Sequence, residues 1–308
     1  MTNDIFYGGI ELGGTKTVVA IGPDDGTISA RVTIPTGTPQ DLLPVIGQFF
    51  AEQSNSYGRP AALGVGAFGP IVIDPTAIGY GHLLETNKPG WSGFDLVGGL
   101  QSVCDLPVSL VTDVAAAGVG EARHGALKGL ELGLYLTVGT GIGGAIICRG
   151  EPLPALLHPE IGHINLQRRY NDAAPSACRF HHNCAEGLAG GPAIMARFGQ
   201  SLSHFSPDSL ELALVAHYLG ELCANLVLAI SPQRILLGGG VGKTPGLIAA
   251  THSALLTHLG GYAGAQVEAS NFLCAPWLGQ DAGIVGALRC ATALSEQTHR
   301  LAASAVTG

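Results

Sequence analysis

The sequence predicts an α/β protein made of two related domains around a central cleft, and three observations carry that prediction. Strand-like runs alternate with helical patterns, which favours layered sheet and helix over an all-β or all-α core. A strand–glycine turn–strand unit occurs once in each half of the chain. The 46 glycines among 308 residues fall mainly where strand-like runs end, as tight turns require.

Taken in order, "DIFYGGIEL" and "TVVAIGP" flank "GGTK" and read as two strands joined by a turn, and "ISARVTIP" follows as a third strand. "PQDLLPVIGQFFAEQ" places Leu42, Leu43, Ile46, Phe49 and Phe50 at helical intervals. "AALGVGAFGPI" is a buried strand running into a loop, and "VSLVTD" is another. "VAAAGVGEARHG" has helix composition, with Gly125 at its C-terminal end. The pattern then restarts with "GLYLTVGTGIGGAIICRG". Further on come helical segments, "EGLAGGPAIMARF" and "SLELALVAHYLGELCANLVLAI" among them. "RILLGGGV" is a strand entering a third glycine turn, and "DAGIVGALRCATALSEQ" is a closing helix. The expected boundary lies near residue 115, with a smaller domain over 1–115 and a larger one over 116–308. The closing helix is the segment that can return to the first domain.

Charge and cysteine usage narrow the function classes. Fifteen Lys and Arg against 23 Asp and Glu give a net charge of −8, the wrong sign for a broad nucleic-acid surface. The N-terminus lacks the basic and apolar regions of a secretory signal, and no long apolar run is free of glycine or charge, so no membrane partner is expected. Seven cysteines, five of them (Cys104, Cys148, Cys223, Cys274, Cys290) within apolar segments, read as reduced thiols of a cytoplasmic protein.

The glycine turns "ELGGTK" and "TVGTGIGG" bring backbone N–H groups within reach of an anion, with Thr15, Lys16 and Thr140 as further donors. Each alone is equally readable as a plain hairpin turn. With "LLGGGVGK" there are three, enough to hold a nucleotide: Gly13, Gly14, Thr15 and Lys16 on the first, Thr140, Gly141 and Gly143 on the second, Gly239 and Gly240 on the third. No Walker A pattern is present, and Gly139–Gly144 leads into a strand, against a dinucleotide-binding fold.

Asp113 ends a strand and opens a helix, the sheet edge where α/β proteins place ligands. It reads either as a helix N-cap or as a functional carboxylate. The stretch "HPEIGHINLQRRYNDAAPSACRFHHNC" contains Cys178, His181 and Cys184 at two-residue intervals, with His163 upstream. Two thiolates and two imidazoles suit tetrahedral Zn2+. The competing reading is a polar loop of hydrogen-bonded histidines, and adjacent His181 and His182 compete as the ligand.

"GGIELGGTKTVVAIG", "TDVAAAGVGEA", "LTVGTGIGGAII", "PEIGHI" and "CRFHHNCAEGLAGGPAI" together resemble the ROK (repressor, open reading frame, kinase) family of sugar kinases, over nearly the whole chain. "YGGIELGGTK", "TNKPGW" and the Cys-x2-His-x2-Cys segment are most similar to its zinc-containing bacterial fructokinase branch. The resemblance implies the actin-like ATPase (ribonuclease H-like) fold, a homodimer, and ATP-dependent phosphorylation of a hexose, D-fructose before others, with Mg2+ on the nucleotide. It implies Asp113 as general base, Glu160, His163 and Glu186 as sugar-binding residues, and structural Zn2+ on His163, Cys178, His181 and Cys184. Glu11 stands where many relatives have the Asp that approaches Mg2+ through water. Asn87 and Lys88 can line the sugar mouth.

Three other readings compete: a broad mannose or glucose kinase, an inactive sugar sensor, and a sugar-responsive repressor. The last would need a DNA-binding module ahead of the first glycine turn, where the sequence offers about ten residues.

Overall fold

The computed structural model describes residues 5–154, 158–170, 172–262 and 264–306. The chain forms two compact units. The first comprises Met1–Gly129, Gly150–His158 and Gln280–Gly308, and the second Leu130–Arg149 and Pro159–Gly279.

In the first unit, β1 (Tyr7–Leu12) and β2 (Lys16–Gly22) form the expected hairpin, and β3 (Ala30–Pro35) pairs antiparallel with β2. Helix α1 (Pro39–Tyr57) then crosses to β4 (Leu63–Ala67), and α2 (Leu96–Cys104) to β5 (Val108–Thr112), giving the sheet order β3-β2-β1-β4-β5. Strands β1, β4 and β5 run parallel. The Thr38 hydroxyl caps α1 by accepting from Asp41 N–H, and Pro39 opens it where no N–H is needed. Leu42, Leu43, Ile46, Phe49 and Phe50 are all buried there, as their spacing predicts. They join Ile10, Leu12, Val65 and Trp91 in the core of this unit.

Helix α3 (Asp113–His124) follows β5 without a gap, because Thr112 accepts from Ala115 N–H and starts the helix at once. Gly125 caps its far end through Glu121 O. The second unit opens with the hairpin β6 (Leu132–Val138) and β7 (Ile142–Cys148); the two-residue β8 (Glu151–Pro152) falls back in the first unit. Next come α4 (Ala185–Ala189), α5 (Gly191–Phe198), α6 (Leu210–Ile230), β9 (Arg234–Gly238), α7 (Gly239–Gly242), α8 (Leu247–Leu259), α9 (Gly264–Glu268) and β10 (Leu273–Cys274). In this sheet β6 pairs antiparallel with β7 and parallel with β9, which is parallel to β10. That repeats the arrangement of β2, β1, β4 and β5. The chain ends in α10 (Ala282–Val306), whose Leu288 and Ala291 pack on Tyr7 and Ala62 of the first unit.

Two expectations change. The boundary at 115 falls inside α3, whose Ala115–Glu121 stretch is buried as one rigid element, so the first unit runs on to Gly129. With α10 and Gly150–His158 added, it is the larger unit and not the smaller. The predicted helix "EGLAGGPAIMARF" is two helices, because Gly190 leaves helical geometry and Pro192 opens a new first turn in α5. Helix α6 is the one described helix long and apolar enough to cross a membrane, and here its buried face supplies much of the second core.

Candidate functional site

In the first unit the β1–β2 turn is closed by a hydrogen bond from Gly13 N–H to Lys16 O, and the Thr36 hydroxyl donates to Gly13 O at 2.7 Å. Thr15 and Lys16 stand exposed at its tip. Lys88, from "TNKPGW", extends its ammonium to the Gly14 carbonyl, while Trp91 donates to Gly37 O at 2.9 Å and anchors the segment beneath. Lys88, one of two residues that can line a sugar mouth, thus reaches the first glycine turn.

Asp113 is the first residue of α3, and the cap is its neighbour Thr112. The Asp113 carboxylate accepts the N–H of Val114 at 2.8 Å, with its own backbone N–H also acting on it. The N-cap reading is thus excluded by geometry, and the carboxylate is not spent on capping. Burial pushes its pKa up to about 6, against the lowering effects of the backbone N–H groups and nearby His158. Glu11, at the end of β1, is raised to about 7, first by burial and next by the charge of Asp113, with Lys16 opposing. Its carboxylate rests against Gly283 in the first turn of α10.

A raised carboxylate has a defined effect on stability. Glu11 binds its proton more tightly folded than unfolded, so its contribution is full below about pH 4.5 and is lost as pH rises to about 7. The shift corresponds to at most about 3 kcal/mol. Glu11→Gln is expected to raise the Tm of the substrate-free protein at pH 8 and to leave it nearly unchanged at pH 4.5. Equal Tm for both proteins at pH 8 would contradict this account of Glu11.

In the second unit two glycine turns lie side by side. Gly139 O accepts from Gly191 N–H at 2.7 Å, and a side chain on Gly139 would come within 3.9 Å of Gly240 N. Gly239 has φ +84°, and a side chain there would strike Val138 and Thr137, so the third turn presses on the end of β6 and needs glycine. Thr140 and Gly240 are exposed. Gly143, expected with the turn residues, instead lies within β7 opposite Thr137, because the turn needs only residues 139–141. Glu186 enters the same turn: its Oε2 accepts from Ile142 N–H at 3.0 Å, and a side chain at Gly141 would collide with it. An acid here was not foreseen at the phosphate turn.

The His/Cys stretch folds on itself. The donor atoms of His163, Cys178, His181 and Cys184 all lie within 4.8 Å of one another. Cys178 Sγ is 3.8 Å from His163 Nδ1 and 3.7 Å from His181 Nδ1. A tetrahedral zinc with ordinary Zn–S and Zn–N bonds has an S···N edge of about 3.6 Å, so the donor set fits that ion. Each sulfur also accepts a backbone N–H, from Phe180 and from Gly187, both at 3.4 Å, a pattern that favours thiolate. Burial and the neighbouring Cys178 push the Cys184 thiol up to about 11, so a cation there would displace a proton. His182 is exposed and contributes its carbonyl to Arg168, which leaves His181 as the cluster member.

The cluster is tied to its neighbours by backbone. Asn165 bridges Cys184, Leu166 N–H donates to Asn183 O, and Ala185 N–H donates to Ile164 O. Cys184 also caps α4, two residues before Glu186. Glu160 is exposed at the start of the 3-10 turn Ile161–His163 and accepts the His163 N–H on its carbonyl at 2.9 Å. Glu160, His163 and Glu186 therefore all hang from one short framework.

The ROK family model matches residues 7–293. The chain belongs to the ROK family. It is 36% identical to a fructokinase of Zymomonas mobilis over 95% of its own length and 99% of the relative's. A fructokinase of Pediococcus pentosaceus is 35% identical over 94% and 98%. Among solved structures, the ROK hexokinase of Thermus thermophilus superposes with a TM-score of 0.79 at 28% identity, covering 95% of this chain and all of that one. The fold is accordingly that of ROK kinases, the actin-like ATPase fold, and the repeated sheet of the two units is its signature.

Proposed function

We propose that the protein is an ATP-dependent sugar kinase that converts D-fructose to D-fructose 6-phosphate. The observation that carries this is Asp113: a half-buried carboxylate at a strand end, not used as a cap, beside Glu11 in a ROK-family chain similar to fructokinases over nearly its full length. A hydroxyl is a poor nucleophile, and a carboxylate of pKa about 6 is ionised at neutral pH and able to take its proton as it attacks the γ-phosphorus.

The remaining roles follow from residue chemistry. Gly13, Gly14, Thr15 and Lys16 offer N–H, hydroxyl and ammonium donors to phosphate oxygens, with Lys88 as a further cation. Thr140 and Gly141 do the same in the second unit, and Gly239 and Gly240 suit the flat face of an adenosine. Glu11 can accept hydrogen bonds from water held by Mg2+, which would neutralise phosphate charge when bound. Glu160 and Glu186 accept hydroxyl hydrogen bonds from the sugar. His163 faces the sulfurs through Nδ1, which leaves Nε2 for the sugar. The residues at the His/Cys cluster fit structural zinc, whose use is to hold Glu160, His163 and Glu186 in place.

Initial rates with fructose, glucose and mannose at limiting sugar test the proposal. A site matched to one hexose leaves polar groups unpaired with another, each costing about 1–3 kcal/mol. Two mismatched hydroxyls then favour fructose in kcat/KM by roughly two to four orders of magnitude. Glu186→Gln is expected to raise KM for fructose more than KM for ATP. Equal use of glucose would remove the fructose assignment, and no ATP turnover with any hexose would remove the kinase reading.

A further inference from the structure

Helices α6 and α8 together hold a second set of metal-type donors, away from the His/Cys stretch in sequence. His217 and Glu221 are four residues apart on α6 and so share one face of it. His258 comes from the last turn of α8, which packs on that face. The rings of His217 and His258 have centroids 4.6 Å apart at 47°, and the donor atoms of all three residues lie within 4.8 Å of one another.

Two of those atoms are orphans. Glu221 Oε1 accepts from Gln167 N–H at 2.6 Å, but Glu221 Oε2 is buried with no hydrogen-bond partner, and so is His258 Nε2. Buried polar atoms are nearly always satisfied, and each that is not calls for a reason. Here two unsatisfied acceptor-capable atoms on facing helices are within reach of the same point.

We propose that His217, Glu221 and His258 form a second metal site, for a borderline divalent cation of the Zn2+ or Co2+ type, that clasps α6 to α8. Two imidazoles and one carboxylate suit such ions, and the absence of sulfur sets the site apart from the first. A cation at about 2.1 Å from each donor draws the donors to about 3.4 Å apart, a contraction that side-chain torsions can supply. Three protein donors leave a fourth position that a water can fill. The site is remote in sequence from every residue given a role in phosphoryl transfer, and its role is to fasten two core helices.

The test is Co2+ and Zn2+ titration by calorimetry, on protein whose retained metal has first been measured, with circular dichroism to verify folding. Wild type is expected to bind one cation more than the His258→Ala variant. Cys178→Ser should lose metal from the first site and keep this one. Co2+ here should give visible bands without the near-ultraviolet thiolate absorption that a Cys-bound ion shows. Glu221→Gln, which keeps an oxygen for Gln167 N–H, should weaken binding tenfold or more while holding the fold. It is the deciding variant if His258→Ala does not fold. With the His/Cys site already filled, further Zn2+ should raise the Tm of wild type and have little effect on that of Glu221→Gln. An extra equivalent bound equally well by wild type and Glu221→Gln, or no extra equivalent in wild type, would overturn the proposal.

Discussion

Replacing Asp113 with asparagine is expected to lower kcat by roughly two to four orders of magnitude while KM for ATP and fructose changes little. Asparagine keeps the shape of the side chain and its contact with Val114 N–H, since the amide oxygen accepts as the carboxylate does. It cannot take a proton. The wild-type rate should also fall as pH drops below about 6, because the acting form is the ionised one and burial has raised its pKa to that value. The residual activity of the variant should lose this limb. Because the raised pKa marks a charge held at a cost in the folded state, Asp113→Asn should be at least as thermally stable as wild type at pH 8. A variant that is inactive and also unfolded would point to a structural role, and one that turns over normally would remove Asp113 from catalysis.

The second large effect is expected from Cys178→Ser. The variant should lose the metal of the His/Cys cluster, measured as zinc per chain, and KM for the hexose should rise by about ten- to a hundredfold or more, with a smaller change for ATP. The reasoning is mechanical. Ser176 donates to His181 O and Cys178 N–H donates to Ser176, so the loop already folds locally, and a shared ion would tie both thiolates to His163. Without it, the segment that sets Glu160 and Glu186 is held by a few backbone bonds around Asn165 and Cys184. The metal content of the unmodified protein should also fall at acidic pH, as protons compete for sulfur and imidazole. Full zinc content in Cys178→Ser would show that other residues hold the ion.

Much of this could be read from the sequence because periodicity and glycine placement are local signals. The α1 face, the β1–β2 and β6–β7 hairpins, and the Cys178-x2-His181-x2-Cys184 spacing are each contained in a short window. What escaped was set by distance or by competition. Thr112 and Asp113 are both good caps, and only the backbone decides that Thr112 takes the role. Lys88 is far in sequence from Gly14, and nothing in "TNKPGW" reveals that its ammonium returns to that turn. Glu186 was legible as an acid early in a helix, but its hydrogen bond to Ile142 depends on how α4 meets the hairpin. His217 and Glu221 were hidden in the most apolar helix of the chain, and their third partner lies on α8, a helix the sequence reading did not single out.

The repeated sheet has a consequence for how the protein tolerates change. Strands β2, β1, β4 and β5 have the same order and directions as β7, β6, β9 and β10, so the two units descend in architecture from one plan. Their ionisable groups have not followed it. The hairpin of the first unit enters its turn through Glu11 and leaves through Lys16, whereas that of the second enters through Thr137 and Val138 and leaves through Ile142. The strand farthest along the parallel run leads to Asp113 in one unit and to Ala275 in the other. One unit thus has its acids on its own sheet edge, while the other has a neutral edge and receives its acid, Glu186, from α4. Saturation mutagenesis should register this as lopsided tolerance: activity lost with every substitution at position 113 and with all but Asp at position 11, and positions 137 and 275 open to small polar and apolar residues alike.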